Sequence, residues 1–170
     1  MARRRIADLA LAQDLAFQRR DWAAQRVGWF FMALVLFAAT AGALGRGGPL
    51  SRAEARSPDG GLRIEYERFA HYQSPTSLRI AFPAEAVRGG EVRLWIERDY
   101  LRKTRVEQVL PAPRRVELGG GRLIYVFGVQ TLRERGAASF DLKIEQVGGL
   151  RGAAGIEGGP QAAFRQFVYP

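Results

Sequence analysis

An uncharged run, Val27 to Gly45 (VGWFFMALVLFAATAGALG), flanked by Arg26 and Arg46, constrains this chain more than any other feature. At about 1.5 Å per residue it reaches about 28 Å, close to the roughly 30 Å hydrocarbon thickness of a bilayer. A surface helix of a soluble domain carries a polar face; this run has none. The pattern predicts a transmembrane helix over 27–45, in contact with membrane lipid along its length. Trp22 and Trp29 sit where interfacial aromatics belong. Gly45, Gly47, Gly48 and Pro49 then supply a stop.

Arginine placement sets the orientation. Six arginines, at 3, 4, 5, 19, 20 and 26, precede the run; Arg46, Arg52 and Arg56 come after it. This bias predicts a cytoplasmic N-terminus and an exported C-terminal part. In a bacterium, that is an inner-membrane protein with a periplasmic or extracytoplasmic domain. The competing reading is a cleaved leader, since Ala39-Thr40-Ala41 and Ala41-Gly42-Ala43 resemble a small-residue cleavage site. Such a leader is longer than the typical 15–30 residues or so. Both readings export the C-terminal domain.

Small residues recur at four-residue spacing within the run: Ala38 and Gly42, Ala39 and Ala43, Ala41 and Gly45. That spacing lets a second helix approach closely. Ala38, Ala41, Gly42 and Gly45 are therefore candidate contacts with a membrane-protein partner or a second copy. The bland alternative is that Ala and Gly are common throughout the chain.

Residues 1–26 form a cytoplasmic segment. From Ala7 to Gln25 it is rich in helix formers and free of Gly and Pro. Its apolar residues do not segregate to one side. It reads as an inner-leaflet helix, or as a continuation of the membrane helix.

The chain has 170 residues, a net charge of +9 and no cysteine. Disulfide frameworks and thiolate chemistry are thereby excluded. Of the 26 basic residues only Lys103 and Lys143 are lysines. A basic surface suits anionic lipid or an acidic partner. An exported domain does not meet nucleic acid.

Beyond a linker over 46–61, residues 62–170 change to period two. Leu62, Ile64 and Tyr66 alternate with Arg63, Glu65 and Glu67; Val92, Leu94 and Ile96 alternate with Arg93, Trp95 and Glu97; Phe140, Leu142 and Ile144 alternate with Asp141, Lys143 and Glu145. Leu78–Phe82, Val106–Leu110, Val116–Leu118 and Phe164–Tyr169 are further strand candidates, and Leu123–Val129 reads as a central strand. Turn clusters separate them, including Ser57–Gly61, Gly89-Gly90 and Gly119–Gly121. The Gly-rich stretch 148–160 reads as a loop or weak strand. Seven or eight short strands in this arrangement predict an antiparallel β-sandwich, with a small barrel as the alternative. At the level of class the pattern resembles Ig-like and fibronectin-type-III-like modules on single-pass membrane proteins.

Catalytic equipment is sparse. The one histidine, His71, stands before a Ser-Pro turn, and no G-x-S-x-G elbow is present. One His, no Cys and two Met do not compose a zinc or copper site. Glu65 with Glu67, and Glu97 with Asp99, each lie beside arginines, as in cross-strand ion pairing. We therefore expect no enzyme, no cofactor and no bound metal. The most site-like stretch is Arg98–Arg105 (RDYLRKTR) after Trp95. With Val92, Leu94 and Ile96 inward, Trp95 points outward, beside Tyr100, Arg102, Lys103 and Arg105. Trp, Tyr and Arg are the residues that anchor interfaces. The expected role is an interaction or accessory module beside a larger membrane protein. The alternative is a secreted sandwich binding an anionic ligand or surface polymer.

Overall fold

The computed structural model describes residues 15–41, 50–128 and 136–170. They fall into two compact units divided between Phe37 and Ala38.

Helix α1 runs unbroken from Leu15 to Ala41. Its Arg20–Ala41 portion is long and apolar enough to cross a membrane by length and composition. Trp29, Phe30, Phe31 and Phe37 are exposed around it, as in a helix with no polar side to turn outward. The described part of the expected span, 27–41, is thus the C-terminal part of a longer helix. Of the stretch read as an inner-leaflet helix or as a continuation of the membrane helix, the part from Leu15 onward is continuous with it. The stop signal at 45–49 lies outside the described residues.

The second unit is a two-sheet sandwich. In chain order its elements are β1 (Arg52–Arg56), β2 (Arg63–Glu67), β3 (Phe69–His71), β4 (Pro75–Ala81), β5 (Glu91–Glu97), the four-residue helix α2 (Arg98–Leu101), β6 (Thr104–Leu110), β7 (Arg115–Gly119), β8 (Arg122–Gly128), β9 (Ala137–Ile144), β10 (Gly148–Ile156) and β11 (Gln161–Tyr169). Among the described residues, one sheet has five strands in the order β1-β2-β4-β9-β6. The other has six, ordered β3-β11-β10-β5-β8-β7. Neighbours are antiparallel except β3 and β11, which run parallel.

Period two places the core. Leu62 and Ile64, Leu78 and Ile80, and Phe140, Leu142 and Ile144 point inward from the five-stranded sheet. Leu94 and Ile96, Tyr125 and Phe127, and Leu150 and Phe164 answer from the other. Phe140 is the centre: Tyr125 and Phe127 meet its ring edge-on, with centroids 5.0 and 6.5 Å away. Each such side chain contributes roughly 1.5–3 kcal/mol by leaving water.

The sandwich expected from the sequence is present, with more strands than the seven or eight anticipated. Strand β1 occupies part of the stretch expected as linker over 46–61. Its sequence, RAEAR, has no large apolar residue to announce it, yet it pairs with β2 along its whole length. Strand β3 has only three residues. The third addition is β10, nine residues from the Gly-rich stretch read as a loop or weak strand. It is an interior strand, between β11 and β5. At two of its four glycines, Gly152 and Gly155, aromatic rings lie against the backbone. A Cβ on Gly152 would sit 2.8 Å from Phe164 Cζ and 2.9 Å from Tyr100 Cδ2; one on Gly155 would sit 2.8 Å from Trp95 Cζ2. Both approaches are closer than van der Waals contact permits, so packing requires glycine at these two positions.

Candidate functional site

The anticipated contact residues gather around the junction of β5, α2 and β6, where β5 leaves the six-stranded sheet. Trp95 does point to the outer face of that sheet, opposite Leu94 and Ile96. It is not, however, a free surface residue, since only 4% of it is exposed. With Ile124 and Val126 it forms a small apolar cluster on the outer face, and Ala153 packs against it. Its indole N–H donates to the Ile156 carbonyl at 3.3 Å. The Arg122 guanidinium lies over its ring, 3.8 Å from the centroid, close enough for a cation–π contact.

Tyr100 corrects the sequence reading outright. The alternation stops at Glu97, because Arg98–Leu101 closes into one helical turn. That turn swings Tyr100 into the core, where it is fully buried. Its ring meets Phe164 edge-on at 5.0 Å. Its hydroxyl donates to Gln166 Oε1 at 2.7 Å, and Gln166 Nε2 donates to the Glu67 carbonyl at 2.8 Å. Burial raises the phenol well above its ordinary value. Tyr100 is a structural bolt between α2 and the strands, not a surface contact.

Arg102 caps α2 and is exposed, Lys103 is half-buried, and Arg105 pairs with Glu145 at 2.6 Å. Arg102 therefore remains beside Trp95 as expected, while Arg105 is held by a carboxylate. Of the candidate helix contacts, Ala38 and Ala41 lie in α1; Gly42 and Gly45 lie outside the described residues.

The charges on this outer face divide into two groups. Toward β7, arginines and carboxylates neutralise one another. Arg93 binds Glu157 and, at 2.6 Å, Glu117. Arg115 binds Glu117 at 2.7 Å and Glu91 at 3.1 Å, and Arg114 reaches Glu91 at 3.4 Å. Val126 is flanked across the strands by Arg93 and Arg115, so their alkyl stems cover it while their heads pair. Hydrogen bonds from Arg115, then from Arg93, hold the Glu117 carboxyl below its usual range; the bond from Arg115 does the same for Glu91. Arg93 thus pairs with Glu117 and Glu157 and not with Glu97 of its own strand. Asp99 belongs to α2, so it does not share a strand face with Glu97.

Toward α2 the arginines are uncompensated. Among the described residues, Arg98, Arg102, Arg122, Arg151 and Arg165 have no carboxylate within ion-pair distance. Three of them, Arg98, Arg102 and Arg122, line an open groove of about 620 Å³ together with Trp95, Ala153 and Ala163 and the carboxylates Glu97 and Asp99. A second hollow of about 510 Å³ shares Trp95, Arg122 and Gln161 with the first, so the groove continues toward Pro160. Arg151 and Arg165 face each other across β10 and β11, two residues from Ala153 and Ala163 and on the same face, about 7 Å further along.

The β7–β8 hairpin forms one wall. Gly120 and Gly121 both have positive φ, 57° and 73°, as a two-residue hairpin turn of this hand requires. The Gly121 carbonyl accepts the Arg98 N–H at 3.0 Å, tying the hairpin to α2. The sequence reading named the stretch that holds Arg98 and Arg102 but not Arg122, which lines the same groove. The signal was its position directly after a Gly-Gly turn, opposite Glu97 in register.

His71 lies on β3 with its ring 5.6 Å from that of Tyr169. Among the described residues, no three His, Asp or Glu side chains converge as a metal site requires. No protein-family model matches this chain, and a search of curated proteins finds no match.

Proposed function

We propose that this protein is a non-enzymatic, single-pass membrane protein whose exported β-sandwich serves as an interaction or accessory module beside a larger membrane protein. The carrying observation is the union of one apolar helix of membrane-crossing length, Arg20–Ala41, with a two-sheet sandwich. In this reading α1 stays in the bacterial inner membrane with its N-terminus in the cytoplasm, as the arginine bias favours. The sandwich then stands in the periplasm.

The partners of the polar side chains support a binding rather than a catalytic role. His71 packs by an aromatic ring, and Glu54, Glu91 and Glu117 are each bound by arginine. None of these stands poised as a general base. Ala38 and Ala41 supply small surfaces at which another helix can approach.

Crosslinking in native membranes, then affinity isolation of the full chain, tests the proposal. A defined membrane-protein partner should co-isolate, and Ala38→Leu with Gly42→Leu should reduce its yield. Isolation of the chain alone, with or without those substitutions, would contradict the reading.

A further inference from the structure

The geometry points to the groove beside Trp95 as a binding site for an extended, carboxylate-rich peptide segment of a partner protein. The inference rests on reading the sandwich as an interaction module, and it names the chemistry that module recognises.

Charge is the first argument. On one face of one sheet, Arg93, Arg114 and Arg115 are matched by Glu91, Glu117 and Glu157. Toward α2, Arg98, Arg102 and Arg122 line a groove together with Glu97 and Asp99, leaving positive charge in excess. Arg151 and Arg165 extend the excess along β10 and β11. They stand directly opposite each other, an arrangement that costs stability unless an anion lies between or beside them. The same sheet thus satisfies its arginines where no ligand is needed and leaves them open along a groove.

Presentation is the second. Arg122 is adjacent to Glu97 in register yet does not pair with it; its guanidinium lies on the Trp95 ring instead. This contact holds the guanidinium at the groove before any ligand arrives. A planar donor fork held this way matches a carboxylate bidentately, with little rotamer entropy left to lose.

Shape is the third. The groove is open and continues past Gln161 toward Pro160, whereas a small-molecule site encloses its ligand. Its floor is low, being Ala153 and Ala163 around the covered Trp95. An extended chain can lie there. A flat anionic membrane surface fits less well, because it does not enter a groove lined by the β7–β8 hairpin and α2.

The test uses the full chain held in nanodiscs of neutral lipid, with a fluorescein-labelled oligoglutamate peptide as the probe and anisotropy as the readout. Oligoglutamate should bind, oligolysine should not, and added salt should weaken binding. Arg98→Ala with Arg122→Ala should weaken it about tenfold or more. Arg79→Ala, on the outer face of the other sheet, should leave it unchanged. Glu97→Gln with Asp99→Asn should tighten it, an outcome that misfolding cannot imitate. Absence of oligoglutamate binding would overturn the proposal. So would equal binding by the Arg98/Arg122 variant, or tighter arginine-dependent binding of phosphatidylglycerol vesicles than of the peptide. Peptide binding without any partner in the membrane crosslinking would instead remove the accessory-module reading and leave the groove intact.

Discussion

The hydroxyl of Tyr100 lies 2.7 Å from Oε1 of Gln166, and through the Gln166 amide it is linked to the main chain at Glu67. One chain of two hydrogen bonds therefore ties α2, β11 and β2 together inside a dry core. Tyr100→Phe keeps the ring and removes the donor, leaving the buried Gln166 oxygen unsatisfied. The expected cost is about 1–3 kcal/mol, read by denaturant unfolding. Peptide binding by the folded variant should be unchanged, since Tyr100 presents no atom to the groove.

The glycines of β10 make a second prediction. Gly152 leaves room for Tyr100 and Phe164, and both rings are held in the core. Gly152→Ala should destabilise the sandwich by about 1–3 kcal/mol, the usual cost of overpacking. At Gly149, where a Cβ meets nothing within 4 Å, the same substitution should be tolerated. Thermal melting of the two variants compares them directly.

These two positions also explain what the sequence concealed. Period two revealed β2, β4, β5 and β9, and a nearly continuous apolar run revealed β8, because each puts large apolar side chains into the core. Strand β10 contributes backbone and small residues, so its place in the sheet interior was legible only once the opposing rings were known. Tyr100 was misplaced because it was grouped with its basic neighbours Arg102, Lys103 and Arg105 as a surface contact, whereas the helical turn at Arg98–Leu101 carries its ring into the core. Trp95 was correctly assigned to the outer face. Its burial there depends on Ile124, Val126 and Arg122, which reach it from β8 and not from its own strand.

Acid should weaken the fold through its arginine–carboxylate pairs. Hydrogen bonds from Arg115 lower the carboxyls of Glu91 and Glu117 below their ordinary 4.5. Depressed folded-state values mean that this stabilisation is fully present above the unfolded value. It is lost as pH falls through the folded values. The melting temperature should hold level down to about pH 5 and decline below it. Glu117→Gln should lower the neutral-pH melting temperature slightly and flatten that acid decline, because an exposed pair contributes little. An acid profile identical to that of the parent would contradict this assignment.

The absence of cysteine makes topology directly measurable. Ser77→Cys places a single thiol on an exposed position of β4. In spheroplasts, a membrane-impermeant maleimide should label it without detergent. Asp14→Cys, ahead of the membrane-crossing portion, should label only after permeabilisation. The reverse pattern would invert the proposed orientation.

Retention of α1 in the working protein is the central claim. Intact-mass measurement of the chain recovered from carbonate-washed membranes tests it most directly. The expected mass is that of the full 170 residues, 18.9 kDa. A species about 4 kDa lighter, cut near Ala41 or Ala43 and released by the wash, would show a removed leader and contradict the anchored reading.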